Sequence, residues 1–468
     1  MAILTPKVIG AGDLSKFRPI ACLCTMRKLL GYIWLLSLPP LSFNTVQTAF
    51  VPGSHADTGV YIINRAAELA REWRKPLFVA QLDLKKAFDH VDHRAAIDAM
   101  KLQGVSLHSL AIIAQIWQLS VINVRLGHVT SDDICLERGL PQGAPESPLI
   151  FVMITEMILR RLQLRWRRNG YGYELDGFWA PAVCYADDIV LMASSKKHLE
   201  EMIKDVIAEF TLIGLGIGEE KTHWTSTPAL LGTTLKAGSA DVPWVGTLVF
   251  VGVALDLAGS STAAINHRMQ QGMKAMHRWK PLLCCRWLPL ARRALMLPVA
   301  IWSCLLWGAS TWTPTKSMCD RIGSWSARAM SVVANVRRAP EEDIGLWRRR
   351  LHREGHSRIA KYTIAPDSMR KLKVHRWAGH LARMEPDLTA ARALRCRGMQ
   401  WWRWRQSQHN CKWTGAHPQR FRAWRWESQV ANVYGDGFAE DHLDNTGWLG
   451  LAQQRHDWKT MELSFSQR

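Results

Sequence analysis

The stretch Ala182-Val183-Cys184-Tyr185-Ala186-Asp187-Asp188-Ile189-Val190-Leu191-Met192 sets two adjacent carboxylates in the middle of an apolar, β-prone run. Apolar segments on either side of a polar pair predict two buried strands joined by a tight turn. Two acids at such a tip, with little nearby charge to neutralise them, are costly unless they hold a cation. On this segment alone an ordinary Asp-bearing hairpin turn and a metal site are both open. The rest of the chain has to separate them.

At 468 residues the chain is too long for one compact core and points to two to four domains or subdomains. Its 48% hydrophobic residues suffice for a sizeable core and argue against global disorder. The net charge of +20 calls for a polyanionic partner, nucleic acid or an anionic membrane surface. That charge is uneven: Val336 to Val430 holds 22 Lys+Arg against 8 Asp+Glu, so most of the excess lies in one fifth of the chain. The ten cysteines fit neither a disulfide framework nor paired Cys-x-x-Cys zinc spacing. Cys22/Cys24 and Cys284/Cys285 are expected to be buried small hydrophobes in a reducing, intracellular compartment, nucleus or cytoplasm. Lys7 and the Gly, Asp and Lys residues after it interrupt any signal-peptide core. Ala294 to Trp312 is uncharged and long enough to span a membrane, but Pro298, Ser303, Gly308 and Thr311 favour a buried helix of a soluble domain.

Taken in order, apolar periodicity predicts helices over about 26–38, 56–73, 93–102, 107–119, 149–165 and 197–212. Strands are expected at 77–83, 121–126 and 247–255, and the chain turns almost wholly helical from 264 to about 336. Gly139 to Pro148 has two Gly and three Pro and must be a loop. Leu77 to Asp83 reads as a buried strand ending in an acid. Three carboxylates on two strand ends, Asp83, Asp187 and Asp188, are what two-metal nucleotidyl transfer requires, with ions about 3.5–4 Å apart. An all-oxygen donor set suits Mg²⁺. By itself, Asp83 is equally a simple strand-capping residue.

The ordered motifs Asp83-x-x-x-Ala87-Phe88-Asp89, Gly139-Leu140-Pro141-Gln142-Gly143-x-x-x-Ser147-Pro148, Tyr185-Ala186-Asp187-Asp188 and Gly214-Leu215 … Lys221-Thr222 resemble those of reverse transcriptases, in particular the non-LTR, LINE-type retrotransposon branch. Phe17-Arg18-Pro19-Ile20, the Phe50-Val51-Pro52-Gly53 turn and Arg376-Trp377-Ala378-Gly379-His380 resemble the same branch. The resemblance implies that Asp83, Asp187 and Asp188 hold two Mg²⁺ ions, with Mn²⁺ as a substitute. It implies that Phe88 lies under the sugar of the incoming nucleotide and excludes a 2′-hydroxyl. Gln142 would lie along the nascent base pair, with Gly143 letting the backbone approach the template and Tyr185 beside the substrate. Arg18 and Lys7 would contact the triphosphate, and Lys221 would protonate the pyrophosphate. Outside this comparison, Lys7, Arg18 and Lys221 are also readable as surface cations.

The chain departs from that pattern at three places. Glu146 stands where the family usually has an apolar residue, Gly218-Glu219 replaces Leu-Asn, and Val251-Gly252 replaces an aromatic-Leu-Gly turn. LINE-type polyproteins also generally carry an endonuclease, and no such pattern is legible here, so a partial or truncated polyprotein is expected. His409, Cys411 and His417 are too loosely spaced for a zinc knuckle. Trp401-Trp402-Arg403-Trp404-Arg405 and Trp424-Arg425-Trp426 interleave aromatics with guanidiniums, which suits stacking on unpaired bases and equally suits a small helical domain with a Trp core.

The resulting expectation is an α+β right-hand polymerase: fingers over 1–75, an antiparallel-sheet palm over 76–260, a helical thumb over 261–336 and a basic helical extension over 337–468. Its partners would be an RNA template, a DNA primer or target and dNTPs, with no membrane. A catalytically silent remnant that only binds nucleic acid and a group II intron-type maturase are the alternatives.

Overall fold

The structure, a computed structural model, describes residues 2–6, 17–43, 46–85, 87–126, 128–175, 177–218, 222–237, 240–257, 261–396, 426–435, 438–439, 442–443 and 447–467. Its centre is a four-stranded sheet of β1 (Leu77–Asp83), β2 (Ala182–Tyr185), β3 (Asp188–Ala193) and β4 (His223–Thr227). The spatial order is β2-β3-β1-β4, and every neighbour is antiparallel. The strands read as continuous apolar runs because both faces of the sheet are covered, one alternate residue serving each side. Leu77, Val79, Val183, Val190 and Met192 point into one core. Phe78, Ala80, Leu82, Cys184, Ile189 and Leu191 point into the other.

The helices that matter for the site are α1 (Thr25–Leu36), α2 (Ala56–Glu72), α3 (His93–Leu102), α4 (Ser147–Arg168), α5 (Lys196–Thr211) and α6 (Pro366–Ala382). Helices α3, α4 and α5 fill the second core with Met100, Phe151, Ile158, Trp166 and Ile203, among others. Their starts are set by short polar residues: Asp92 accepts from the Arg94 amide ahead of α3, and Ser195 from the His198 amide ahead of α5. Pro148 lies in the first turn of α4, where its missing N–H costs nothing.

The first core is larger. It runs from α2 through the hairpin at 248–255 and the helices Thr262–Leu283, Leu290–Met296 and Lys316–Ala334 to α6, and then to Trp426, Trp448, Trp458 and Phe465. Arg65 of α2 has no exposed side-chain surface; it bonds Glu68 at 2.6 Å, lies 3.6 Å from Glu427 and covers the Tyr61 ring at 5.0 Å. Trp426 packs edge-on against Tyr61 and donates to the Ser310 carbonyl. This tryptophan of the basic tail is thus a core residue, whereas 397–425, with the other Trp/Arg clusters and His409, Cys411 and His417, lies outside the described residues.

Three expectations are corrected. Thr247–Leu255 is a hairpin, Leu248–Phe250 and Val253–Leu255, rather than one strand, because Val251 (φ 47°) and Gly252 (φ 74°) both turn left-handed. The 121–126 strand is split at Asn123. Cys22 and Cys24 are exposed and Cys284 and Cys285 half-exposed, the first two just ahead of α1 and the last two just past the end of the 262–283 helix; among the described cysteines it is Cys184 and Cys396 that are buried. The uncharged stretch from Ala294 is a succession of short helical pieces with Leu297, Ile301, Trp302 and Leu305 buried. No helix among the described residues is long and apolar enough to cross a membrane.

Candidate active site

Strands β2 and β3 meet in a two-residue hairpin, with Tyr185 opposite Asp188. Ala186 takes φ +55°, the positive first turn position such hairpins need, although it carries a Cβ. Asp187 follows in the turn and Asp188 opens β3. On the other side of β3, Asp188 is the cross-strand partner of Asp83, the last residue of β1. The sheet therefore brings together three acids that lie far apart in sequence. Directly opposed like charges destabilise an antiparallel pair, so this register invites a counter-cation.

Burial pushes the Cys184 thiol well above its usual range, and the negative charges of Asp187, Asp188 and Glu156 push it further the same way. Beyond β1, the Gly218 amide donates to the Asp83 carbonyl at 2.6 Å. A Cβ at 218 would stand 3.0 Å from Asp83 Oδ2, so the glycine that replaces the family's leucine keeps room beside that carboxylate. All three donors are carboxylate oxygens, which fits a hard divalent ion. Their side chains do not converge as they stand: among the described residues no group of three or more His, Cys, Asp or Glu is arranged to hold a metal ion.

The Gly139–Pro148 loop lies against the same region. Its Leu140 amide donates to the Phe88 carbonyl, and Gln142 Nε2 donates to Asp89 Oδ1 at 2.9 Å, so the Gln142 side chain is tied to the Ala-Phe-Asp segment. Phe88 is half-buried and stacks on Phe151 of α4 at 4.8 Å between ring centres. Gly143 takes φ +116°, and a Cβ there would run to 2.6 Å from the Ala21 carbonyl oxygen. Ala21 in turn donates to the Gln142 carbonyl at 2.7 Å, which joins the end of the strand Phe17–Ala21 to the loop. Arg18 is exposed on that strand, and Tyr185 packs at the edge of the first core. Lys7 and Lys221 lie outside the described residues.

Glu146, the unusual acid of the loop, is completely buried, and Arg27 of α1 grips it with both terminal nitrogens. The sequence reading passed over Arg27 and Gln47. Gln47 lies beneath the Asp187-Asp188 turn, and its polar character inside an apolar turn segment was the only local signal.

Residues 6–254 match the reverse transcriptase (RNA-dependent DNA polymerase) family. Among curated relatives, the Pol polyprotein of a type-1 retrotransposable element R2 from Nasonia vitripennis is 28% identical over 47% of this chain and 21% of its own length. The R2DM polyprotein of Drosophila melanogaster is 22% identical over 52% of this chain and 23% of its own, and the R2 polyprotein of Popillia japonica 26% over 50% and 33%. The chain thus spans about a fifth to a third of the length of these relatives. Among solved structures, a telomerase from Candida tropicalis in complex with a TWJ fragment of telomeric RNA overlaps 78% of this chain and 55% of its own, at a TM-score of 0.40 and 11% identity. With more than half of its length matched, and the three acids of that half on two adjacent strand ends and the turn beside them, this chain belongs to the reverse transcriptase family.

Proposed function

We propose that the chain is an RNA-directed DNA polymerase that extends a primer 3′-hydroxyl with dNTPs on an RNA template, as in non-LTR retrotransposition. The observation that carries this is the register that sets Asp83 opposite Asp188, with Asp187 in the adjoining turn. Asp83, Asp187 and Asp188 are the residues that would hold two Mg²⁺ ions. When bound, such ions acidify the attacking hydroxyl and neutralise the leaving pyrophosphate.

The protein's own residues then do the positioning on which phosphoryl-type transfer chiefly depends. Phe88, stacked on Phe151, would lie under the nucleotide sugar and exclude a 2′-hydroxyl, a role that, like those of Gln142, Gly143 and Tyr185, rests on the motif resemblance. Gln142 and Gly143 line the nascent base pair, and the bond to Asp89 keeps Gln142 in the Phe88 segment's frame. Tyr185 closes the site beside the acids. Arg18 and Lys7 bind the triphosphate, and Lys221 gives a proton to the departing pyrophosphate; these three roles rest on the motif resemblance. The fingers (1–75), palm (76–260), thumb (261–336) and C-terminal region (337–468) belong to the same reading.

The test is primer extension by the purified chain with Mg²⁺, a primed RNA and dNTPs. Extension that Asp187→Ala abolishes is the expected result. Nucleic-acid binding with no extension at all would identify a catalytically silent chain and overturn the proposal.

A further inference from the structure

Gln47 is 2% exposed and lies directly under the Asp187-Asp188 turn, yet no catalytic role touches it. The segment Val46–Ala49 runs beside β2 as a single parallel bridge, Gln47 to Cys184. Cys184 donates to the Val46 carbonyl at 2.9 Å and accepts from the Thr48 amide at 2.8 Å. This short segment covers an otherwise open sheet edge, and it delivers one carboxamide into the interior.

Every hydrogen-bonding capacity of that carboxamide is directed. Gln47 Oε1 accepts from the Ala49 amide at 3.0 Å and from the Ala186 amide at 3.3 Å. Gln47 Nε2 donates to Thr155 Oγ1 at 2.9 Å and to Cys184 Sγ at 3.4 Å. The orientation is fixed by chemistry, because backbone amides only donate and therefore must face the oxygen. The Thr155 hydroxyl spends its own hydrogen on the Val152 carbonyl, so it can only accept from Gln47. The Cys184 thiol donates onward to the Ala186 carbonyl at 3.3 Å.

Both polar ends of Ala186 are thus held, one by Gln47 and one through Cys184. Ala186 is the residue whose left-handed backbone aims the next two side chains. A Cβ-bearing residue keeps φ +55° only where its surroundings over-determine it. The other arm of Gln47 reaches Thr155 on α4, the helix that leaves the Gly139–Pro148 loop. A single buried amide therefore ties the acid-bearing turn to the helix behind the template loop.

We propose that Gln47 is a positioning residue that fixes the Asp187-Asp188 turn relative to α4 and so sets the arrangement in which the three acids bind divalent metal. This rests on the polymerase reading of those acids. Partners that orient metal-binding groups typically contribute about 10–100-fold to metal affinity when removed. Gln47→Leu keeps the volume, loses all four hydrogen bonds and strands the Ala186 amide.

The experiment uses the full chain. Mn²⁺ binding is measured by calorimetry without nucleic acid, primer–template binding in EDTA, and the thermal midpoint without metal. Gln47→Leu should weaken Mn²⁺ binding by about 10–100-fold and raise the half-saturating Mg²⁺ in extension, while metal-free primer–template affinity stays at the wild-type value. Thr155→Val cuts only the arm to α4 and should shift Mn²⁺ affinity in the same direction by less. Wild-type Mn²⁺ affinity in Gln47→Leu overturns the inference. So does a folded Gln47→Leu chain whose metal-free primer–template affinity falls in parallel with its Mn²⁺ affinity. If Gln47→Leu does not fold, Thr155→Val decides alone, and unchanged Mn²⁺ affinity there is refuting. A wild-type chain that binds no Mn²⁺ and extends no primer removes the polymerase reading itself, a result distinct from an indifferent Gln47→Leu.

Discussion

Removing Arg27 should release α1 from the Gly139–Pro148 loop. Glu146 has no exposed side-chain surface, and Arg27, 16% exposed, meets it with a two-nitrogen fork. Deleting one partner of a buried pair costs about 3–5 kcal/mol, because the remaining charge stays buried and uncompensated. In Arg27→Ala the vacated channel opens toward solvent on the arginine's side, so water reaches the carboxylate and the loss falls near the lower end, about 3 kcal/mol, or roughly 150-fold in an opening equilibrium. Amide hydrogen exchange in α1 and in residues 141–147 reads that opening directly and does not require the whole chain to unfold in one step. Arg27→Lys, which keeps the charge and loses the fork, should fall in between. The decisive variant is Arg27→Leu with Glu146→Leu. If the cost comes from the stranded acid, the double substitution restores protection to nearly the wild-type level. An Arg27→Ala chain with less than about a fivefold change in exchange, or a double variant no better than the single, would refute the reasoning.

Other outcomes follow from single features. Gly143→Ala forces a Cβ to 2.6 Å from the Ala21 carbonyl at φ +116°, which should cost about 1–3 kcal/mol, read as a lower thermal midpoint together with reduced extension. Burial, reinforced by the neighbouring His55 and by Arg383 and Arg455, depresses His380 to about 4, against the weaker opposing pull of its bond to the Gly53 backbone. A lowered histidine stabilises the fold above its unfolded range and loses that contribution as pH falls from about 6.5 toward 4, so His380→Phe should flatten the pH dependence of the thermal midpoint in that window. The Arg350 guanidinium holds Glu342 down to about 2, so that pair's contribution is complete above about pH 4.5 and fades as pH falls toward 2. Carbon-detected titration of Glu342, repeated with Arg350→Gln, should show the carboxyl return to its ordinary range.

The elements themselves were legible in sequence wherever local pattern decides them. Leu77–Asp83 and His93–Leu102 fall at the expected residues, and α5 lies one residue earlier at each end. The apolar run around Asp187 correctly announces strands buried on both sides. What local pattern cannot hold is partnership across the chain. Gln47 sits in a Pro- and Gly-rich stretch, and its contacts are 108, 137 and 139 positions away. Arg27 looks like any helical cation until its partner, 119 positions on, is known. Glu146 read as an extra acid beside the template, whereas it is a buried anchor with its charge already answered. Apolar type does not guarantee burial, as Cys22 and Cys24 show, and a β-prone run such as 247–255 hides a hairpin because β-branched valine ordinarily avoids the left-handed turn that Val251 takes.

The core beneath α2 has a consequence for how this protein is made. Tyr61, Arg65 and Glu68 come early in the chain, while Trp426 and Glu427, which close over them, come near its end. At about 5–20 residues per second, a ribosome needs on the order of tens of seconds to span that interval. Through that time the α2 face is complete in sequence but lacks its last covering layer. Trp426 and Glu427 supply that cover only after the intervening residues are made, so a nascent chain that stalls short of Trp426 would leave the α2 face open to chaperones and proteases.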